Sequence, residues 1–307
     1  MLQSLPGLRL VREETWDEFM NPSAKRPIVS IVIPTHNSAQ TLLKCLKSIE
    51  AQTYRQFEIV VIDDLSTDET ALMARDFGVK VLARKCTPSL ARNLGVAVST
   101  GDYLLFLDSD QALSPSVIEE CVRKCEDENI SMIFIPEVFV GVGFWSSCSA
   151  VWKNCYSMVP RIHEDGENMT VGEPRFFLRQ CFVQAGMFNA ALHYGEDHDL
   201  HRRVKELNVK EGLVKSALYH YEPSTLREIL SKLFRYGQSM PTLARGAETP
   251  MLKYLPMNSL LTLKEIFRQD AKHPTVIVGC TFLLWLKTCY LVAGLLTGYD
   301  FGRQVSG

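Results

Sequence analysis

The sequence predicts an α/β fold built on a mostly parallel sheet flanked by helices, and three observations carry that expectation. Short β-branched runs alternate with segments whose apolar residues recur at helical spacing, the pattern of strands joined by helical crossovers. Most of these runs end in proline or aspartate, residues that close a strand and open a loop. Hydrophobic residues make up 46% of the 307, enough for a large buried core and too many for a disordered chain.

Residues 28–33 form the first expected strand, halted by Pro34, and Asn37 or Ser38 caps a helix carrying Leu42, Leu43, Leu46 and Ile49. A second strand over 58–62 runs into Asp63 and Asp64, and Thr67 or Asp68 starts a helix that reaches about Phe77. Strands at 79–82 and 103–107, helices at 89–98 and 115–125, and an apolar run at 132–135 continue the alternation. Right-handed crossovers between such strands give the parallel sheet. Beyond 135 the pattern loosens: Gly141, Gly143 and residues 163–172 read as loops, 212–219 as a strand, 222–236 as a helix. No internal repeat or low-complexity tract appears. The division expected is an N-terminal extension over 1–27, a catalytic unit over 28–240 with halves 28–135 and 136–240, and a helical C-terminal segment over 241–307.

Charge and cysteine content narrow the function classes. The 33 basic and 35 acidic residues nearly cancel, so nothing favours a nucleic-acid partner. Nine cysteines, an odd number with no CxxC pair, indicate neither a disulfide framework nor a zinc ribbon and suit a reducing cytoplasm. Residues 1–20 contain Arg9, Arg12 and several acids, unlike a secretory signal, and the Asn168 sequon is read as a chance match.

In an open parallel sheet, ligands bind beyond the carboxyl ends of the strands. Acidic residues stand at two of those ends. Leu107 leads into Asp108–Ser109–Asp110, where two carboxylates are placed to hold a hard divalent cation, Asp110 being alternatively the cap of the next helix. Ile62 leads into Asp63–Asp64, where one carboxylate can accept a nucleobase N–H while Asp68 caps a helix. Between them, Arg92 sits early in a helix facing the same mouth, suited to a phosphate or a carboxylate.

Taken in order, Ile33-Pro34-Thr35-His36-Asn37, Ile62-Asp63-Asp64 with Ser66-Thr67-Asp68, Ala91-Arg92-Asn93-x-Gly95 and Asp102-Tyr103 with Asp108-Ser109-Asp110 resemble the family 2 glycosyltransferases over residues 28–240. Gly195-Glu196-Asp197-His198-Asp199-Leu200 with Arg203 resembles the family's downstream acidic pair. The resemblance implies a GT-A fold, an inverting mechanism, a UDP- or GDP-linked sugar donor and a manganese or magnesium ion. It also implies a glycan, lipid-linked or protein-linked acceptor. Carried onto this chain, it places Pro34, Thr35, Asn37, Asp63, Asp64, Arg92, Asp108, Ser109 and Arg203 around the nucleotide-sugar and Asp110 on the metal. Asp197 becomes the base that takes the acceptor proton, with Glu196 orienting the acceptor. His220 is either a third metal ligand or a structural histidine. The chain departs from the family at Leu65, where glycine or a small polar residue is usual, and at residues 84–88, which replace an Asn-x-Gly loop.

Residues 276–296 are the most apolar stretch, interrupted only by Lys287. Three placements are open: an interfacial helix at the cytoplasmic face, a membrane span, or a buried soluble helix. Trp285 and Tyr290 beside Lys287 favour the interface. Trp145, Trp152 and Tyr156 suit core packing as well as sugar stacking. Two rival functions are a haloacid-dehalogenase-like phosphatase, whose DxD motif follows the first strand instead, and a non-catalytic nucleotide-binding membrane scaffold.

Overall fold

The computed structural model describes residues 26–158, 173–192, 195–246, 259–270 and 274–304. The N-terminal residues 1–25, the Asn168 sequon and the loop read over 163–172 lie outside them. The main sheet has seven strands in the order β3–β2–β1–β4–β8–β6–β9. They are β1 (Val29–Thr35), β2 (Phe57–Asp63), β3 (Lys80–Ala83), β4 (Tyr103–Phe106), β6 (Met132–Phe134), β8 (Pro174–Leu178) and β9 (Glu211–Leu213). A smaller sheet sets β10 (Leu218–Tyr221) between β5 (Gln111–Leu113) and β7 (Glu137–Val140).

Helices α1 (Ala39–Glu50), α2 (Thr70–Asp76), α3 (Pro88–Ala97) and α4 (Val117–Glu128) alternate with the first strands as expected. The second half adds α5 (Phe144–Met158), α6 (Arg179–Gln184), α7 (Glu196–Lys205), α8 (Leu226–Gly246), α9 (Ser259–Asp270) and α10 (Pro274–Gln304). The sheet is buried on both faces. Ile31, Ile33 and Leu105 pack with Leu42, Leu46 and Ile118 on one side, while Val32, Phe106 and Phe177 pack with Phe182 and Phe188 on the other.

Several expectations need correction. The strand does not stop at Pro34: β1 continues to Thr35, with Pro34 paired to Ile62. Thr35 C=O accepts from Asp64 on the β2 side and Val32 C=O from Leu107 on the β4 side. By alternation, the N–H that proline lacks would face β4, whose pairing has already ended at Val32–Phe106. The sheet is mostly parallel, as expected, with β8 running antiparallel between β4 and β6. The strand expected before His220 is two short strands, and His220 lies inside β10. Residues 144–158, to which the sequence assigns no element, are α5, and its Trp152 is buried in a core of Cys148, Cys155, Ile229, Ile266, Ile277, Cys280 and Leu283, as core packing requires.

Helix α8 passes through residue 240, and α10 packs along it and against α5. The α8–α10 contact is backbone to backbone: a Cβ at Gly237 would lie 2.2 Å from Leu291 O, and one at Gly294 2.1 Å from Phe234 O. Lys287 turns inward. Its Nζ donates to Ser149 Oγ at 2.8 Å, and that hydroxyl donates to Glu222 Oε2 at 2.6 Å. Glu222 also pairs with Lys153. The opposite face exposes Val278, Phe282, Trp285, Cys289, Val292 and Leu296, spaced three or four residues apart. By length and composition Pro274–Thr297 is apolar enough to cross a membrane.

Candidate active site

Parallel neighbours β2, β1 and β4 end on the same edge of the sheet, so their C-terminal loops share one cleft. Asp63 is buried and accepts from Thr35 Oγ1 at 3.2 Å and from Ser66 N at 3.0 Å. Thr35 and Asp63 therefore brace the turn that presents Asp64. That carboxylate accepts from Cys86 N at 2.9 Å and Lys85 Nζ at 3.3 Å, while His36 Nδ1 lies 2.8 Å from Asp64 O. The Arg84–Pro88 loop thus reaches Asp64 through the Cys86 backbone and the Lys85 side chain. Asn37 joins the two loops, its N–H donating to Ser66 Oγ and its Oδ1 accepting from Thr67 N, both at 2.8 Å. Asp68 caps α1 from across the gap, accepting from Ala39 N at 3.1 Å. Leu65 has φ +50°, the left-handed region where glycine is favoured.

At the end of β4, Asp108 accepts from Arg92 at 2.7 Å and Arg175 at 3.3 Å. The other arm of Arg92 reaches Glu196 at 2.8 Å, so one guanidinium ties the β4 end to the start of α7. Arg175 also binds Glu137 at 2.6 Å. Burial alone would raise the Asp108 carboxyl; Arg92 and Arg175 overcome it and hold Asp108 ionised well below the usual carboxylate range. Against the same penalty, Arg175 and His220 push Glu137 down to about 2. Ser109 Oγ donates to Ser38 Oγ at 2.8 Å, fixing the loop against the start of α1.

His220 Nε2 lies 3.4 Å from Asp110 Oδ2 and is buried with no hydrogen-bond partner among the described residues. Its Nδ1 faces Gln111 Nε2 at 3.3 Å and Glu137 Oε1 at 3.9 Å. Burial disfavours charge on the ring, but Asp110 and Glu137 outweigh it and push the pKa up to about 9. A ring nitrogen without a partner, aimed at a carboxylate and backed by a second carboxylate, is a donor pair that fits a divalent cation.

Asp197 lies in the first turn of α7, after Gly195 at φ +74°. Polar atoms of Glu173, Asp197 and His198 lie within 4.8 Å of one another. Arg203 does not turn to the cleft: it binds Asp199 at 2.8 Å, Met187 O at 2.7 Å and Ala185 O, bracing the turn after α6. Sequence reasoning missed Glu137, Glu173 and Arg175. Arg175 had a visible signal, an arginine beside Phe176 and Phe177 in an apolar run.

A family model described as glycosyl transferase family 2 matches residues 30–184. Glycosyltransferase GlyG of Streptococcus pneumoniae is 31% identical over 113 residues, 34% of this chain and 38% of that protein. The amylovoran biosynthesis glycosyltransferase AmsB of Erwinia amylovora is 25% identical over 221 residues, 64% of this chain and 70% of that protein. Less than two thirds of the length of the first relatives is matched, 18% for a Rickettsia conorii glycosyltransferase. Among solved structures, the mannosyltransferase PcManGT of Pyrobaculum calidifontis, in complex with GDP-Man and Mn2+, has a TM-score of 0.57 at 16% identity, covering 94% of this chain and 91% of that one. Staphylococcus aureus TarS 1–349 with UDP-GlcNAc has a TM-score of 0.50 at 16% identity, covering 90% and 91%. These likenesses show the GT-A fold. With the family model spanning half of the chain, this protein belongs to glycosyl transferase family 2.

Proposed function

We propose that the chain is an inverting transferase that moves a sugar from a nucleoside diphosphate sugar to an acceptor hydroxyl or a lipid-phosphate acceptor, in glycan, glycolipid or glycoprotein synthesis. The observation that carries this reading is the Arg92 bridge: it ties Asp108, beside the Asp110–His220 pair, to Glu196, beside Asp197. Donor and acceptor chemistry thereby share one cleft. The phosphatase and scaffold readings gain no support from the family match.

In this reading Asp64 accepts from the nucleobase, with Pro34, Thr35, Asn37 and Asp63 shaping its pocket. Asp108 and Ser109 lie beside the ribose and sugar. Asp110 and His220 hold a divalent cation, which supplies positive charge to the departing diphosphate when bound. Asp197 takes the proton from the acceptor hydroxyl as it attacks the anomeric carbon, and Glu196, steadied by Arg92, orients that hydroxyl. Arg203 supports the site at a distance, by holding the turn at 185–187. The Mn2+ and GDP-Man of PcManGT and the UDP-GlcNAc of TarS favour manganese and a UDP- or GDP-linked donor.

Residues 28–240 form the catalytic unit, with 28–135 serving the donor and 136–240 the acceptor, and 241–307 lie at the cytoplasmic face of a membrane. The exposed apolar stripe of α10 and nine free thiols support that location. Asp197→Asn tests the assignment: it keeps donor binding and loses transfer by at least about 100-fold, the lower bound for a general base. Transfer at wild-type rate by this variant would remove Asp197 from its role.

A further inference from the structure

Three placements are open for residues 276–296, and the packing of α10 opposes two of them. A buried soluble helix would not leave Val278, Trp285 and Leu296 69%, 61% and 64% exposed on one face. A span would have to carry its neighbour along. Helix α8 meets α10 backbone to backbone at Gly237 and Gly294, and it bears Arg227, Glu228, Lys232 and Arg235, which hydrocarbon does not take. If α10 left α8 and α5 instead, the Lys287 ammonium would lose Ser149 Oγ and stand bare in the bilayer.

The remaining placement is a helix lying flat with one face outward. Lys287 stands about half a turn from both Trp285 and Cys289, so the bonded face and the exposed face are opposite. The exposed stripe from Val278 to Leu296 runs for about 27 Å and bears no charged side chain. An interface with a second protein carries about one hydrogen bond per 100–200 Å², whereas Val278, Phe282, Val292 and Leu296 offer no side-chain donor or acceptor. Trp285 and Tyr290, also exposed, are the residue types that seat at a membrane–water boundary. Lipid is therefore the matching partner.

The apolar surface continues onto α5. Ring contacts run from Phe144 to Trp145 at 4.9 Å, from Trp145 to Phe282 at 5.9 Å and from Phe282 to Trp285 at 5.9 Å. Val142 and Phe144 are exposed at the start of α5, and a recess of about 430 Å³ lies among Phe144, Trp145, Val278, Gly279 and Phe282. The two helices cross closely, since a Cβ at Gly279 would lie 2.6 Å from Cys148 Sγ. Helix α5 also holds the strand beside the cleft: Asn154 bonds Phe139 N and O at 2.8 and 2.9 Å, and the Phe139 ring lies 5.1 Å from that of His220.

We propose that α10 and the start of α5 form one docking surface for a single lipid leaflet, with α10 in the plane of the membrane and its stripe facing the acyl chains. This rests on the membrane placement of residues 241–307 in the reading above and adds its mode and a second helix. Lys287 and Ser149 fix which face of α10 turns outward, and α5 carries that orientation to the cleft.

The test uses the full chain labelled with an environment-sensitive fluorophore at Cys289, the exposed thiol among the described residues, in a Cys86→Ser background. Phosphatidylcholine vesicles should shift its emission to the blue in high salt as well as low, because the stripe bears no charge. A nitroxide high on the lipid chain should quench it more than one near the chain end, since an in-plane helix sits about 5–10 Å into the boundary. In co-sedimentation, Trp285→Ser and Phe144→Ser should each weaken vesicle binding by about 5- to 20-fold with an unchanged unfolding temperature. Stronger quenching by the deep nitroxide overturns the proposal, because Cys289 sits near the middle of Pro274–Thr297 and a span would bring it there. A blue shift without vesicles that grows with protein concentration makes a second copy of the chain the occupant and overturns it. No shift with vesicles, or wild-type vesicle binding by either variant, overturns it as well, and so does a loss of binding that only follows a fall in unfolding temperature. Nucleoside diphosphate binding enters none of these readouts, so failure here leaves the transfer reading standing.

Discussion

Replacing Arg92 by methionine removes one guanidinium and strands two carboxylates. Asp108 and Glu196 lie 2.7 and 2.8 Å from its two arms, and the arginine side chain is only 11% exposed, so solvent screens these contacts weakly. Breaking a buried pair costs about 3–5 kcal/mol, because the partner is left charged and desolvated. Asp108 retains Arg175 at 3.3 Å and is 27% exposed, which lowers the expected cost to about 3 kcal/mol. For a chain of this size that is a fall in Tm on the order of 5 °C. Thermal unfolding followed by circular dichroism measures it directly. Arg92→Lys keeps the charge but has a single nitrogen where two are needed, and is expected to recover about half. In a double-mutant cycle, Arg92→Met and Glu196→Gln should couple by at least about 1 kcal/mol. A loss below about 1 kcal/mol for Arg92→Met, or full stability in Arg92→Lys, would refute the bridge as the link between β4 and α7.

Gly294→Ala places a Cβ 2.1 Å from Phe234 O and forces α8 and α10 apart; urea unfolding should show a loss of about 3 kcal/mol, and a loss below 1 would contradict the close contact. Leu65 is 51% exposed and held at φ +50°, so Leu65→Asn or Leu65→Gly should gain about 0.5–1 kcal/mol in the same assay, and a loss would argue against backbone strain there. Glu58 accepts from Ser30 Oγ at 2.8 Å and from Gly101 N at 3.1 Å, and also from Thr100; burial opposes its charge, but these bonds lower its pKa. A depressed carboxylate gives stability that is present above its ordinary value of 4.5 and lost as pH falls through the lower folded value. The stability gap between wild type and Glu58→Gln should therefore be widest near pH 7 and shrink in acid; a gap independent of pH would rule out the ionised form as the cause.

The first half of the fold is legible because its signals are local. Residues 28–125 carry short apolar strands and helices with clear spacing, and the acidic ends Asp63–Asp64 and Asp108–Asp110 stand out beside them. The strand β8 is not legible in that way. Its antiparallel place between β4 and β6 depends on partners forty or more residues away in β6 and more than seventy in β4, with only the short apolar run Phe176-Phe177-Leu178 to mark it. The same limit applies to the site. Glu196 and Asp197 are visible as neighbours, whereas their link to Asp108 runs through Arg92, 104 residues before Glu196. Arg175 joins Asp108 to Glu137 across β8 and β7, a contact that no spacing encodes. Lys287 misleads when read as a point in a linear apolar stretch, because only the packing of α10 shows its ammonium turned toward Ser149 and Glu222.

Asp110 and His220 are proposed to hold a metal ion at the mouth shared with Asp64 and Asp197. Pulsed electron paramagnetic resonance of Mn2+ titrated into the protein tests it most directly, because a bound imidazole imprints its nitrogen on the spectrum. A nitrogen coupling is expected in wild type and lost in His220→Gln, and the bound ion is expected to be lost in Asp110→Ala. Mn2+ bound with no nitrogen coupling, or bound as well by Asp110→Ala as by wild type, would contradict it.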